Sequence, residues 1–80
     1  MKKIIYLSQL PIGESGEVLN LLLSGSSRRR MLDLGIVKGA TIKAVRKSPL
    51  GDPTAYYIKG ALIALRKEEA DQILIKIDSK

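Results

Sequence analysis

Short apolar runs, separated by glycine or proline, follow one another along most of the chain. In Ala40–Lys47 and Ile73–Asp78 apolar and polar positions alternate, which is the period of a half-buried β-strand. The pattern predicts strands over residues 17–23, 40–47, 56–58, 61–65 and 73–78. Residues 4–7 form either a further short strand or an extended lead-in.

The run from residue 17 to residue 23 is the most ambiguous of these segments. Its valine and leucine content suits a buried strand, with Leu19, Leu21 and Leu23 on one face under the two-residue period of a strand. A helix of the same composition is the alternative. The short length of the run and the glycines on both sides of it favour the strand.

One α-helix is predicted among these strands, over residues 27–34. Ser26 or Ser27 offers a side-chain N-cap, and Gly35 offers the left-handed residue that ends a helix. A second, short helical turn is predicted over residues 66–71, where two glutamates fall in the first turn and suit the helix dipole.

The order of these elements predicts a mostly β protein. We expect a small barrel of five to six short strands, with one inserted α-helix and a short C-terminal helical turn. Residues 48–53 contain two prolines and a glycine, so they are expected to form an irregular turn. The chain has no Phe, Trp or Cys, so its core is aliphatic and no disulfide supports it. Eighty residues make one domain, 1–80.

The composition removes most kinds of catalytic and metal site. Without histidine and cysteine, most metal sites and nucleophilic relays are excluded. A Ser–Lys pair stays open as an alternative, but no motif supports one, so we expect no catalytic residue and no enzyme. No cofactor is required. Oxygen ligands remain: Glu14, Glu17 and Asp52 are weak candidates for loose binding of Fe²⁺ or another divalent cation. For Asp52 the alternative is a carboxylate that hydrogen-bonds its own turn.

The net charge of +6 indicates an acidic partner, which would be nucleic acid, an anionic membrane surface or an acidic protein face. Solubility alone is the alternative explanation. The basic residues lack the interleaved aromatic residues of a single-strand binder, so no stable nucleic-acid complex is expected. No apolar stretch reaches the length of a signal or membrane segment, which predicts a cytoplasmic protein.

Five residues are predicted to bind a protein partner: Arg28, Arg29, Arg30, Leu50 and Asp52. The three arginines lie near the start of the predicted helix and oppose its dipole, which an acidic partner would compensate. Leu50 lies at a turn tip among polar residues, where a partner would gain most by burying it. The alternative is that Leu50 folds back over the barrel and the arginines are solvated.

Three motifs give the chain a resemblance to a known family. Residues 29–39 resemble the RRLLDLGLVPG signature of the FeoA family, with Lys38 where proline is common. Residues 48–60 resemble the SPLGDP hairpin of that family, and residues 64–70 resemble its ALRKEEA ending. The three motifs are in order and cover almost the whole chain.

This resemblance implies an SH3-like barrel that serves bacterial ferrous iron uptake as a small accessory or regulatory protein. It implies protein–protein contact with FeoB, a membrane GTPase that imports Fe²⁺, so that the chain meets the membrane only through its partner. Activator, assembly factor and metal sensor are all compatible roles. The alternatives are a nucleic-acid-binding barrel, or a stand-alone SH3-like module that binds an iron-dependent repressor or another partner peptide.

Overall fold

The computed structural model describes residues 1–78 and folds their strands into one antiparallel sheet. The elements in chain order are β1 (Lys2–Tyr6), β2 (Ser15–Leu21), α1 (Gly25–Asp33), β3 (Thr41–Lys47), β4 (Thr54–Ile58), β5 (Ala61–Leu65), α2 (Lys67–Ala70) and β6 (Ile73–Asp78), with a 3₁₀ turn (Leu7–Gln9) after β1. The strand order is β1-β6-β2-β3-β4-β5. The mostly β prediction is confirmed. Residues 4–6 belong to a strand that begins two residues earlier than predicted, whereas Leu7 belongs to the 3₁₀ turn.

The C-terminal strand lies between the two N-terminal strands. β6 pairs with β1 on one side and with β2 on the other, so that Ile75 faces both Ile5 and Val18. The other strands follow as hairpins, β3 with β4 and β4 with β5. The β1, β6 and β2 part of the sheet therefore forms only when the two ends of the described chain come together. The part from β3 to β5 forms by pairing between strands that are neighbours in sequence.

The core is aliphatic, as the composition predicts. Among the described residues no polar or charged residue is buried, and Tyr56 is the buried aromatic residue. The largest fully buried side chains are Leu7, Val18, Met31, Ile36, Ile42, Ile58, Leu65, Ile73 and Ile75. Each such side chain contributes about 1.5–3 kcal/mol by leaving water, which gives an 80-residue chain its stability without disulfides.

The ambiguous segment is a strand as predicted, but it spans Ser15–Leu21 instead of residues 17–23. Its buried face also differs from the prediction. The register of β2 against β6 shifts between Val18 and Asn20, and this irregularity places an extra residue in β2. Val18 and Leu21 are buried as a result, while Leu19 is only half-buried. The prediction that Leu19 shares a buried face with Leu21 is therefore wrong. The two-residue alternation in the sequence gives no sign of an extra residue in the strand, so it could not predict this bulge.

Helix α1 begins two residues earlier than predicted and ends at Asp33, one residue before the predicted end. It starts at Gly25 with Ser24 in the N-cap position, so Ser26 and Ser27 lie inside the helix and the predicted cap is wrong. Gly35 takes a φ of 95° after the helix. Its N–H donates to the carbonyl of Leu32, and the next N–H, of Ile36, donates to the carbonyl of Met31, both at 3.0 Å. These two bonds form a Schellman motif.

Candidate partner-binding surface

The turn between β3 and β4 carries Leu50 at its tip. The Ser48 N–H donates to the carbonyl of Pro53 at 3.0 Å, and the Ser48 hydroxyl donates to the carbonyl of Asp52 at 2.7 Å. The Gly51 N–H donates back to Ser48 at 2.8 Å, and the Asp52–Pro53 peptide bond is cis. Leu50 is 95% exposed. It does not fold back over the barrel, so that part of the alternative is wrong.

Asp52 connects this tip to helix α2. Its carboxylate accepts a hydrogen bond of 2.8 Å from the backbone N–H of Lys67, the first residue of the helix. N–H groups in the first turn of a helix have no partner within the helix, so a carboxylate is a favourable acceptor there. The alternative in which the Asp52 carboxylate bonds its own turn is thus wrong, because the Ser48 hydroxyl and the Asp52 carbonyl serve the turn.

The three arginines have different surroundings, although all are exposed. Arg28 donates to the carbonyl of Leu21 at 2.9 Å, and Arg30 forms an ion pair with Glu69. The guanidinium of Arg29 has no hydrogen bond or ion pair with any residue from 1 to 78. Because α1 begins at Gly25, Arg30 lies in its last turn, where a cation suits the helix dipole. The prediction that all three oppose the dipole is wrong for Arg30.

Helix α2 also receives side-chain contacts from two other parts of the chain. Glu69 accepts from the backbone N–H of Arg66 at 2.9 Å and also pairs with Arg30 of α1. Asp71, just after the helix, accepts from the hydroxyl of Ser8 and from the Lys67 Nζ, which lies 2.9 Å away. The helix of four residues thereby holds α1, the 3₁₀ turn and the hairpin tip.

These contacts change the acidity of two groups. The hydrogen bond from Ser8, and after it the one from Lys67, lower the pKa of Asp71. The hydrogen bond and charge of Asp71 in turn raise the pKa of Lys67. Sequence reasoning missed Ser8, Lys67 and Asp71 as a group because Ser8 and Asp71 lie 63 positions apart. The local signal in this segment was the pair of glutamates in the first turn, which predicts the start of a helix.

The candidate metal ligands Glu14, Glu17 and Asp52 lie in no acidic cluster within residues 1–78. No group of three or more Asp or Glu side chains lies close enough together there to hold an ion. Glu17 lies 3.9 Å from the Lys76 ammonium, and Asp52 bonds the N–H of Lys67. Within residues 1–78, no helix is both long and apolar enough to cross a bilayer.

A second exposed apolar area lies on the outer face of β4 and β5. Tyr57 and Leu62 are direct cross-strand partners and are 50% and 53% exposed. Lys43 of β3 is the partner of Tyr57 on its other side. Residues directly opposite each other on one face are in contact range. The sequence pattern did not distinguish these outward side chains from the core.

Comparison with known proteins agrees with these features. A family model described as the FeoA domain matches residues 5–77. The chain belongs to the FeoA family. The solution structure of FeoA from Chlorobium tepidum is 39% identical with a TM-score of 0.87, covering 94% of this chain and 71% of that one. FeoA from Stenotrophomonas maltophilia, described as a procaryotic SH3 domain protein complexed with zinc, is 31% identical with a TM-score of 0.79, covering 89% and 88%.

A longer relative joins FeoA to a transporter. The Fe(2+) transport protein A/Fe(2+) transporter FeoB fusion protein of Porphyromonas gingivalis is 36% identical over 73 residues. That match covers 91% of this FeoA chain and 9% of the fusion protein. The predicted family and the SH3-like barrel are both confirmed. The zinc and the transporter belong to those relatives.

Proposed function

We propose that this FeoA protein is a cytoplasmic accessory protein of ferrous iron uptake that acts by binding a FeoB-type transporter, without catalysis of its own. The fused relative supports the partner, because joining two domains in one chain raises their effective concentration for each other. The contact surface is the 48–53 tip together with the exposed side of α1. The observation that carries this choice is Leu50, 95% exposed on a hydrogen-bonded turn.

The arginines of α1 provide the charged part of the same surface. The Arg29 guanidinium makes no hydrogen bond or ion pair with residues 1–78, so it is available to an acidic group of the partner. Arg28 and Arg30 stay exposed but also hold Leu21 and Glu69, which keeps the helix in place. An apolar anchor within a cationic surface suits a protein interface better than a fully charged face does. Asp52 positions the tip through α2.

The test measures binding of the purified chain to the cytoplasmic part of the FeoB from the same genome, by biolayer interferometry. Leu50→Ser and Arg29→Glu are each expected to weaken binding at least about tenfold, which corresponds to about 1.4 kcal/mol. Arg29 is chosen instead of Arg30 because replacing Arg30 also breaks the ion pair with Glu69. Leu62→Ser is the matched control, an exposed leucine on β5 outside this surface.

Unchanged binding by both folded variants would reject this surface. Equal weakening by Leu62→Ser would move the interface to the outer face of β4 and β5. If wild type itself does not bind FeoB, the proposed partner is wrong. Ferrous iron uptake by cells carrying each variant provides the functional readout, and it is expected to fall in the order of the binding losses.

A further inference from the structure

A small cleft lies next to the hairpin tip, between β3, β4 and the start of α2. Its lining comes from Ser8, Lys47, Gly51, Thr54, Tyr56 and Lys67. Its volume is about 70 Å³, enough for a few water molecules or for one group of the size of a carboxylate. None of the residues that line it is acidic.

The lining offers hydrogen-bond donors of the kind that hold an oxyanion. Lys47 and Lys67 contribute ammonium groups, and Lys47 forms no ion pair or side-chain hydrogen bond with residues 1–78. Tyr56, only 3% exposed, adds a hydroxyl to the lining. Burial raises the pKa of Tyr56, followed by the charges of Asp52 and Asp71, so the hydroxyl keeps its proton and remains a donor.

Two carboxylates near the cleft limit the charge of the ligand. The negative charges of Asp71 and Asp52 both raise the pKa of Lys67. Each carboxylate already has hydrogen-bond partners: Asp52 accepts from the Lys67 N–H, and Asp71 accepts from Ser8 and from the Lys67 ammonium. The two lysines and two aspartates therefore balance in charge before a ligand arrives. A singly charged group fits this balance better than a doubly charged phosphate does.

We propose that this cleft binds the carboxylate of an acidic side chain of the protein partner. The inference rests on the proposed function, since it supplies the recognition chemistry of the same surface. Gly51 lines the cleft and Leu50 precedes it at the tip, so one short segment of the partner reaches both. That segment carries an apolar residue beside an Asp or Glu. Lys47 and Lys67 hold the carboxylate while Leu50 is covered.

The experiment titrates the ¹⁵N-labelled full chain with sodium acetate at pH 7, with sodium chloride keeping the ionic strength constant. Acetate is expected to shift the amide resonances of Gly51, Thr54 and Lys67 in a saturable way. Lys47→Gln is expected to weaken acetate binding about fivefold, which corresponds to about 1 kcal/mol. Lys43→Gln removes an equal charge from the opposite end of β3 and is expected to leave the acetate affinity unchanged.

Shifts that do not saturate, or that weaken equally in the Lys47 and Lys43 variants, overturn the proposal. A parallel titration with inorganic phosphate separates the two sources of an oxyanion: binding tighter than that of acetate would overturn the carboxylate assignment. Because acetate replaces the partner, the cleft is tested without FeoB. If the wild-type chain binds FeoB but does not bind acetate, the proposed cleft is wrong and the proposed partner stands. If the wild-type chain binds acetate in a saturable way but does not bind FeoB, the proposed partner is wrong and the cleft stands.

Discussion

The carboxylate of Asp52 shows how one residue can determine where an exposed side chain lies. It spans fifteen positions of sequence to accept the backbone N–H of Lys67. Two residues away, Leu50 has almost no contact of its own, since 95% of its surface is exposed. An apolar side chain in this position is held by its turn and not by the core. Asp52 is therefore a positioning residue for the proposed interface, and its candidacy as a metal ligand has no cluster to support it in residues 1–78.

Ser8 and Asp71 give the fold a measurable dependence on pH. The hydrogen bond from Ser8 lowers the pKa of Asp71, so the ionised carboxylate stabilises the folded state above the ordinary aspartate pKa of about 4. This contribution is lost as the pH falls through the lowered pKa of the folded state. Ser8→Ala is therefore expected to unfold at a lower temperature than wild type at pH 7, and the difference is expected to shrink below about pH 4.

Thermal unfolding followed by circular dichroism from pH 7 to pH 2.5 measures this difference. Ser48→Ala is the matched control, because the Ser48 hydroxyl donates to the backbone carbonyl of Asp52, which does not titrate. Its effect on stability is expected to stay constant over the same range. A difference between Ser8→Ala and wild type that is independent of pH would show that the Ser8 hydroxyl does not act through the charge of Asp71.

At the level of the elements, the end of α1 is fixed by a single glycine. Gly35 has a φ of 95°, and a Cβ there would come within 3.4 Å of the Lys59 side chain. Gly35→Ala is expected to lower the free energy of unfolding by about 1–2 kcal/mol, the cost of the left-handed region for a residue with a Cβ. Urea denaturation measures the loss. Lys38→Ala, at an exposed site, is the control, and its free energy of unfolding is expected to stay within about 0.5 kcal/mol of wild type. If both variants lose the same free energy of unfolding, the left-handed conformation of Gly35 is not the cause.

Elements with a local signal were predictable, and contacts between distant elements were not. Alternation gave the strands, and Gly35 gave the end of α1, because both depend on residues close in sequence. The bulge at Leu19 depends on pairing with β6, so the strand period gave the wrong face. The exposure of Leu50 at a turn agreed with the prediction, whereas the link from Asp52 to Lys67 and that from Arg30 to Glu69 appear only once α2 is in place.

At the scale of the whole molecule, charge and apolar contact are expected to act on different steps of binding. The net charge of +6 attracts an acidic partner from a distance, whereas Leu50 contributes only after contact. Exposed charges change the association rate and are screened over about 10 Å at 0.1 M salt. A buried apolar anchor slows dissociation. The two parts of the proposed surface can therefore be separated by kinetics.

Association and dissociation rates of the proposed complex with FeoB, measured at low and high salt, test this separation. Arg29→Glu is expected to reduce the association rate at low salt, and the reduction is expected to fade at about 0.5 M, where charges are screened over only a few ångströms. Leu50→Ser is expected to raise the dissociation rate by about tenfold at both salt concentrations, because losing apolar contact does not depend on screening. If Leu50→Ser acts mainly on the association rate, or if salt removes its effect, Leu50 is not the apolar anchor of the complex.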